Sequence, residues 1–285
     1  MFVTASVAAR IERAESRAAV AVAEVARARG DAVLIEPIDG GAAVFGGPGE
    51  PFNKVAGLGF SGEPLDEAAV ARIEREFDAR KAPIRVELST LAHPDAATLL
   101  TRRGYVLIGF ENVLALELTP DRVASIARGV EADAPRGLTV SRAAADEVGT
   151  WVTTMAEGIG HPDTFDGPPP TESFGRETLE RVMFDSSRAE GYAMYLGRLQ
   201  GEIAGAGSIR ISDGLAQLCG AATLPAFRRR GVQSSLLRAR LLDAAHQGCD
   251  LAVVTTEPGS KSQENVQRAG FALVYARAVL VRTPA

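Results

Sequence analysis

Residues 215–237 read Leu215-Ala-Gln217-Leu-Cys219-Gly-Ala-Ala222-Thr223-Leu224-Pro-Ala-Phe-Arg228-Arg229-Arg230-Gly231-Val232-Gln233-Ser234-Ser235-Leu-Leu237. An apolar run of strand length enters a short turn with Pro225. Three arginines and a glycine follow, and then a helical pattern to about His246. Arginine at a helix start opposes the macrodipole, by about 0.3–1 kcal/mol per exposed side chain. The arrangement becomes favourable when an anion sits there. First-turn N–H groups have no intrahelical acceptor and converge on it, and Gly231 lets the backbone approach without a Cβ in the way. Ser234 and Ser235 add hydroxyl donors. A solvated basic turn ahead of an amphipathic helix is the other reading of these residues taken alone.

The elements around this stretch follow a regular order. Leu138–Arg142 reads as a strand and residues 143–157 as a helix. The loop Gly158–Phe174 is polar and carries Pro168-Pro169-Pro170, and residues 176–184 look helical. Strands Gly191–Leu199, Glu202–Ile211 and Leu215–Thr223 are joined by Gln200-Gly201 and Asp213-Gly214, both hairpin turns. After the helix at 231–246 come a strand (Leu251–Thr256), a short helix (Lys261–Ala269) and a last strand (Phe271–Val281).

The first half is looser. An Ala-rich helix covers 5–29 and ends at Gly30. Strands are expected at Ala32–Glu36, Ala42–Phe45, Val55–Phe60, Ile84–Leu88 and Tyr105–Leu118, with helices at 64–81, 94–103 and 120–128. The stretch Gly129–Gly137, with Gly, Pro and acidic residues, reads as a linker. Thr101-Arg102-Arg103-Gly104-Tyr105-Val106-Leu107 echoes Gln267-Arg268-Ala269-Gly270-Phe271-Ala272-Leu273. Each follows a strand and short helix and opens a long strand, so two copies of one fold, 1–130 and 131–285, are expected.

At 285 residues, 46% hydrophobic and 24% charged, the chain has a globular composition and a length that suits two domains. A net charge of −5 disfavours nucleic acid as a partner. Of the 31 basic residues only Lys54, Lys81 and Lys261 are lysine. Cys219 and Cys249 cannot staple a chain of this size and read as buried thiols of a reducing compartment. His93, His161 and His246 lack metal-ligand spacing, so no metal is expected. No membrane partner is expected either. Arg10, Glu12 and Arg13 stand where a signal peptide needs its apolar core, which points to the cytoplasm.

Arg228-x-x-Gly231-x-Gln233, after a strand and before a helix, resembles the acyl-CoA pyrophosphate loop of the GNAT (GCN5-related) N-acetyltransferases, whose pattern is Gln/Arg-x-x-Gly-x-Gly/Ala. Gln233 departs from it. Residues 138–281 also resemble the family's order of elements. The segment Ser262–Phe271 resembles the region after its fifth strand, where Asn265 would contact the pantetheine or phosphate arm. The resemblance implies an α/β (α+β) fold of two GNAT-like domains, each a mixed, mostly antiparallel sheet flanked by helices. It implies acetyl-CoA as cosubstrate, held by Ala222, Thr223, Leu224, Arg228, Arg229, Arg230, Gly231, Val232, Gln233, Ser234 and Asn265. The reaction implied is acetyl transfer to the amine of a small molecule or peptide-like substrate. A backbone N–H near Thr223 or Leu224 would polarise the thioester carbonyl.

The first half carries a formal Gly57-x-Gly59-x-x-Gly62, a dinucleotide-type signature. Glu63, Asp66 and Glu67 would repel a pyrophosphate there, so this half reads as a degenerate copy that binds no CoA. Tandem proteins of this kind resemble mycothiol synthase and its relatives. The family's tyrosine position is Val266 here, and its strand carboxylate position is Gln217. Glu257 and Ser262 are the candidate catalytic residues, with Cys219 and Tyr275 weighed as core. Trp151, His161, Asp163 and Asp166 are candidate acceptor contacts. A non-catalytic acyl-CoA-binding protein and a nucleotide-dependent oxidoreductase are the alternatives, and a homodimer through sheet edges is open.

Overall fold

The computed structural model describes residues 2–133, 135–162 and 174–284. Helix α1 (Ala5–Arg29) starts at Thr4, whose hydroxyl accepts the Val7 N–H, and ends at Gly30 in the left-handed region. Strands β1 (Leu34–Ile38) and β2 (Gly41–Phe45) form a hairpin through Asp39 and Gly40, both at positive φ. Strand β3 (Lys54–Ala56) is shorter than its apolar pattern suggests. Gly57 and Gly59 leave the extended region, and a Cβ at Gly59 would come within 2.6 Å of Ala92. Helix α2 (Glu67–Ala79), strand β4 (Ile84–Ser89), helix α3 (Pro94–Arg102) and strand β5 (Val106–Glu117) follow.

Helix α4 (Pro120–Asp133) runs through much of the expected linker. At Gly129 the guanidinium of Arg238 packs directly on the helix and donates to the Gly129 carbonyl at 2.8 Å. The second half contains β6 (Leu138–Arg142), a 3-10 turn at Ala145–Glu147, α5 (Val148–Gly160) and α6 (Arg176–Arg188). Then come β7 (Tyr192–Leu199), β8 (Glu202–Ser212), β9 (Leu215–Thr223) and α7 (Val232–His246). Strand β10 (Leu251–Thr256), helix α8 (Lys261–Arg268) and strand β11 (Ala272–Arg282) complete the chain.

The class is the expected mixed, mostly antiparallel α/β, but both halves share one sheet. Its order is β1-β2-β3-β4-β11-β5-β10-β9-β8-β7-β6. Among the described residues only β3–β4 and β9–β10 pair in parallel. Each half thus carries strand, helix, strand, helix, strand in the same sense, as the internal echo implies. The last strands are exchanged. Strand β11 pairs with β4 of the first half, from Arg277↔Ser89 to Arg282↔Ile84. Strand β5 pairs with β10 of the second half, from Leu251↔Glu117 to Thr256↔Asn112. The two exchanged strands also pair with each other.

Side chains alternate between the faces of this sheet. Toward one face, Val113, Ala115, Leu215, Val253 and Tyr275 pack on α1, and Leu196, Ala206 and Ala222 pack on α5. Toward the other, Leu114, Leu116, Ala252 and Val254 pack with α7 and α8. Helices α2 and α3 cover the first-half strands on that side, with Phe77 and Leu100 fully buried. Helix α1 belongs to the first half in sequence but is fastened to the second. Arg10 bridges to Asp250 and Arg17 to Asp213, and Arg29 reaches Asp185 on α6.

Candidate active site

Strands β9 and β10 pair only as far as Gln217↔Val253. Strand β9 continues to Thr223 and β10 to Thr256, so beyond that point the two diverge and leave a fork. A bulge between the Gly207 and Ile209 pairings bends β9 there, with Gly220 at φ 76°. The buried Arg240 guanidinium braces the bend. It donates to the carbonyls of Gly220 at 3.0 Å, Ser208 at 2.9 Å and Leu236 at 3.0 Å. Burial, with no carboxylate beside it to compensate, lowers its pKa to about 10. The Thr223 and Thr256 hydroxyls, at the ends of the fork, are buried without a hydrogen-bond partner.

The amides of β9 alternate in direction. Leu224 N–H donates to Ala204 O on β8 at 3.0 Å. Ala222, opposite Ala206, faces β8 in the same phase. Thr223 and Ala221 therefore face the fork. Of Ala222, Thr223 and Leu224, it is Thr223 that offers its amide to the open edge.

Helix α7 begins beside this fork. Its N-cap, Gly231, is left-handed at φ 77°, and no side chain caps the first turn. Arg229 is also left-handed, at φ 59°. Arg229, Arg230, Gly231 and Ser234 are exposed, whereas Val232 is buried in the core and Gln233 is half-buried. Arg228 turns back, donating to Thr223 O at 3.4 Å and to His161 O. A Cβ at 231 would lie 2.6 Å from Pro135, so glycine is required there by both space and φ. The result is a solvent-facing cluster of uncapped amides and guanidinium groups.

A cavity of about 330 Å3 lies at the apex of the fork, on the α1 face of the sheet. Trp151, Met155, Leu179, Val182 and Phe52 supply apolar wall, and Leu218–Gly220 and Val253–Thr255 open it to the fork. Trp151 is 2% exposed and donates Nε1–H to Gly207 O at 2.9 Å. The polar end is formed by Glu15, Gln217, Thr255 and Arg277. Gln217 Nε2 donates to Glu15 at 3.3 Å, and Lys54 Nζ lies 2.7 Å from the same carboxylate. Burial works against the Glu15 anion, but Lys54 and Arg277 outweigh it and hold its pKa at about 2.

Behind this end lies a buried ionic cluster. Arg277 donates Nε–H to Glu12 at 2.7 Å, and Tyr275 donates its hydroxyl to the same oxygen at 2.7 Å. Lys54 also bridges to Glu87, and Arg85 to Glu111. Arg277 is 1% exposed, yet its Nη2 has no hydrogen-bond partner.

The expected site residues separate clearly. Trp151 lines the cavity. His161 caps the exposed end of α5 beside Glu157 and is not part of the cavity wall. Asp163 and Asp166 lie outside the described residues. Glu257 is an exposed residue just past β10. Ser262 is exposed in the first turn of α8, whose N-cap is Ser260 instead, accepting Gln263 N–H at 3.2 Å. Asn265 is half-buried on the same helix. Tyr275 is core, as weighed. Cys219 lines the cavity, but burial pushes its pKa up to about 12, so it remains a thiol.

Glu15 and Arg277 were not singled out from the sequence. A signal for Glu15 existed, because it continues the stripe Ile11, Ala18, Val22 on the buried side of α1. In the first half, the loop matching the arginine corner is closed. Asp66 caps α2, accepting Ala68 N–H at 2.9 Å, and Gly59 N–H donates to Asp39 at 2.8 Å. Among the described residues no group of three or more His, Cys, Asp or Glu is placed to hold a metal ion, and no helix is long and apolar enough to cross a membrane.

Residues 163–271 match the family model described as the acetyltransferase (GNAT) family. Among solved structures, a GCN5-related N-acetyltransferase from Kribbella flavida is 20% identical with a TM-score of 0.63, over 94% of this chain and 95% of that one. A tandem GNAT protein from the clavulanic acid biosynthesis pathway is 14% identical with a TM-score of 0.62, over 92% and 87%. FemX is 12% identical with a TM-score of 0.58, over 99% and 96%. At such identities the likeness shows the fold. No curated protein matches.

Proposed function

From the match of residues 163–271 to the acetyltransferase (GNAT) family model, we propose that the chain is an acetyl-CoA-dependent N-acetyltransferase acting on a small or peptide-like amine. The observation that carries this reading is the fork between β9 and β10, with the uncapped start of α7 beside it and a cavity at its apex. The diphosphate of CoA suits the exposed amides of 229–234 and the side chains of Arg229 and Arg230. The pantetheine arm suits the open edge of β9, as an added strand. Acetyl-CoA supplies an activated acyl group.

The chain's own part is to place an amine in the cavity, present the Thr223 N–H to the developing oxyanion, and exclude water with the apolar wall. In the balanced transfer the amine nitrogen bonds to the acyl carbon as the carbon–sulfur bond breaks. CoA leaves as the thiol, and one proton passes to solvent. The first half, 1–130, is assigned no CoA site, since its corresponding helix start is capped by Asp66. The free thiols Cys219 and Cys249 support a reducing, cytoplasmic setting.

Titration calorimetry with acetyl-CoA, paired with an assay of CoA thiol release over an amine panel, tests the reading. Arg229→Ala should weaken acetyl-CoA at least tenfold, and Gly231→Glu should abolish binding. Unchanged affinity in both variants rejects it. Tight binding with no transfer to any amine selects a non-catalytic acyl-CoA-binding protein instead.

A further inference from the structure

We infer that helix α1 of the first half completes the acceptor site, and that Glu15 and Arg277 together recognise an amine with a carbonyl oxygen beside it, on an apolar body the size of a leucine or phenylalanine side chain. The inference rests on the acetyltransferase reading for its reaction, but not for its ligand.

Three observations carry it. First, the cavity that opens onto the fork is walled by both halves. Ile11, Glu15, Ala18 and Phe52 come from the first and Trp151 and Leu179 from the second. A domain ending at the expected boundary would leave this pocket open along one side. Second, the carboxylate that β9 lacks at Gln217 is delivered from α1. Gln217 Nε2 holds Glu15 at 3.3 Å at the last paired position before the strands diverge. A carboxylate has room for about four hydrogen bonds. Lys54 and Gln217 leave Glu15 able to accept from an ammonium group arriving through the cavity. Third, Arg277, a residue of the same cavity wall, carries a buried Nη2 with no hydrogen-bond partner. A buried donor of this kind calls for an oxygen acceptor.

The two groups are neighbours, with Arg277 Nη1 3.7 Å from Glu15 Oε2. Ammonium and oxygen must therefore sit close together on the ligand, as in an α-amino acid derivative or the first residue of a peptide. The apolar wall then takes the side chain. Glu15 stays ionised across the neutral range and does not take the amine's proton. It positions the acceptor, and the proton leaves to water as the nitrogen approaches the acyl carbon.

The test compares L-leucinamide with isoamylamine, which keeps the amine and apolar body but lacks the carbonyl. Binding to the full chain without acetyl-CoA is measured by calorimetry at pH 7, where both amines are protonated. Leucinamide is expected to bind at least tenfold more tightly than isoamylamine. Glu15→Gln should erase at least tenfold of leucinamide affinity while Glu15→Asp restores part of it, and acetyl-CoA affinity should stay unchanged. Leu179→Trp fills the apolar wall without touching the ion cluster and should weaken both amines together, which keeps the test valid if the Glu15 variants fold poorly. Equal affinity for the two amines, absence of leucinamide binding, or a Glu15→Gln protein that binds as wild type overturns the inference. If leucinamide binds as expected but acetyl-CoA does not, the acceptor site stands and the acetyl-transfer reading falls.

Discussion

Glu111 on β5 lies 3.6 Å from Arg277 on β11, yet the carboxylate oxygen facing it has no hydrogen-bond partner. The two strands are the ones the halves exchange. Burial, and then repulsion from Glu87, push the Glu111 pKa up to about 7, against the pull of Arg277, Lys54 and Arg85. The folded protein therefore holds a proton here that the unfolded chain releases near 4.5. Between those values the native state binds more protons, so stability falls as pH rises. Glu12, whose pKa burial also raises, acts in the same direction. Urea denaturation should show a higher midpoint at pH 5.5 than at 7.5, and Glu111→Gln should flatten the difference. A wild-type midpoint that rises over this interval would count against it.

The bend in β9 depends on Arg240. Arg240→Met removes donors from the carbonyl of the buried Ser208 and from that of Gly220 at the bend. Relief of a buried charge offsets part of the loss. A net destabilisation of about 1–3 kcal/mol is expected, together with weaker acetyl-CoA binding, because the open edge of β9 is no longer held away from β10. Calorimetry and urea unfolding read the two effects separately. An unchanged affinity would mean that the bend is maintained by Gly220 and the bulge alone.

Strand positions were legible wherever apolar runs were bounded by turn residues. Leu138–Arg142, Leu215–Thr223 and Leu251–Thr256 fall where the pattern puts them. The arginine–glycine corner was legible because charge and glycine at a helix start are local signals. What the pattern did not reveal is long-range. Strands β5 and β11 carry similar apolar sequences after similar Gly junctions, so nothing local says that they trade places. The first half's glycine loop resembles a phosphate loop in spacing, and only packing on Ala92 and capping by Asp66 show it closed. Glu15 was hidden for the opposite reason. An acidic residue in an Ala-rich helix reads as surface until its position on the apolar stripe is noticed.

Thiol chemistry distinguishes a buried cavity cysteine from an activated one. With its pKa near 12, Cys219 exposes only about one thiolate in ten thousand at pH 8, and burial also raises the pKa of Cys249. Iodoacetamide should label neither in the native protein within an hour, and both after unfolding in urea. Fast labelling of Cys219 in the folded chain would reveal a lowered pKa and reopen it as a nucleophile.

The exchange of β5 and β11 predicts how the chain can be cut. A fragment of residues 131–285 lacks β5, so β10 loses its antiparallel partner from Leu251 to Thr256 and β11 loses both neighbours. It also lacks α1, which covers Val253 and Tyr275. Buried strand edges without partners leave backbone groups unsatisfied. The fragment alone should be insoluble or should unfold without cooperativity. Residues 1–130 expressed together with 131–285 should copurify as one folded complex that binds acetyl-CoA like the intact chain. If 131–285 alone folds and binds acetyl-CoA with full affinity, then β11 can close directly on β10, and the exchange is a convenience of connection rather than a requirement of the fold.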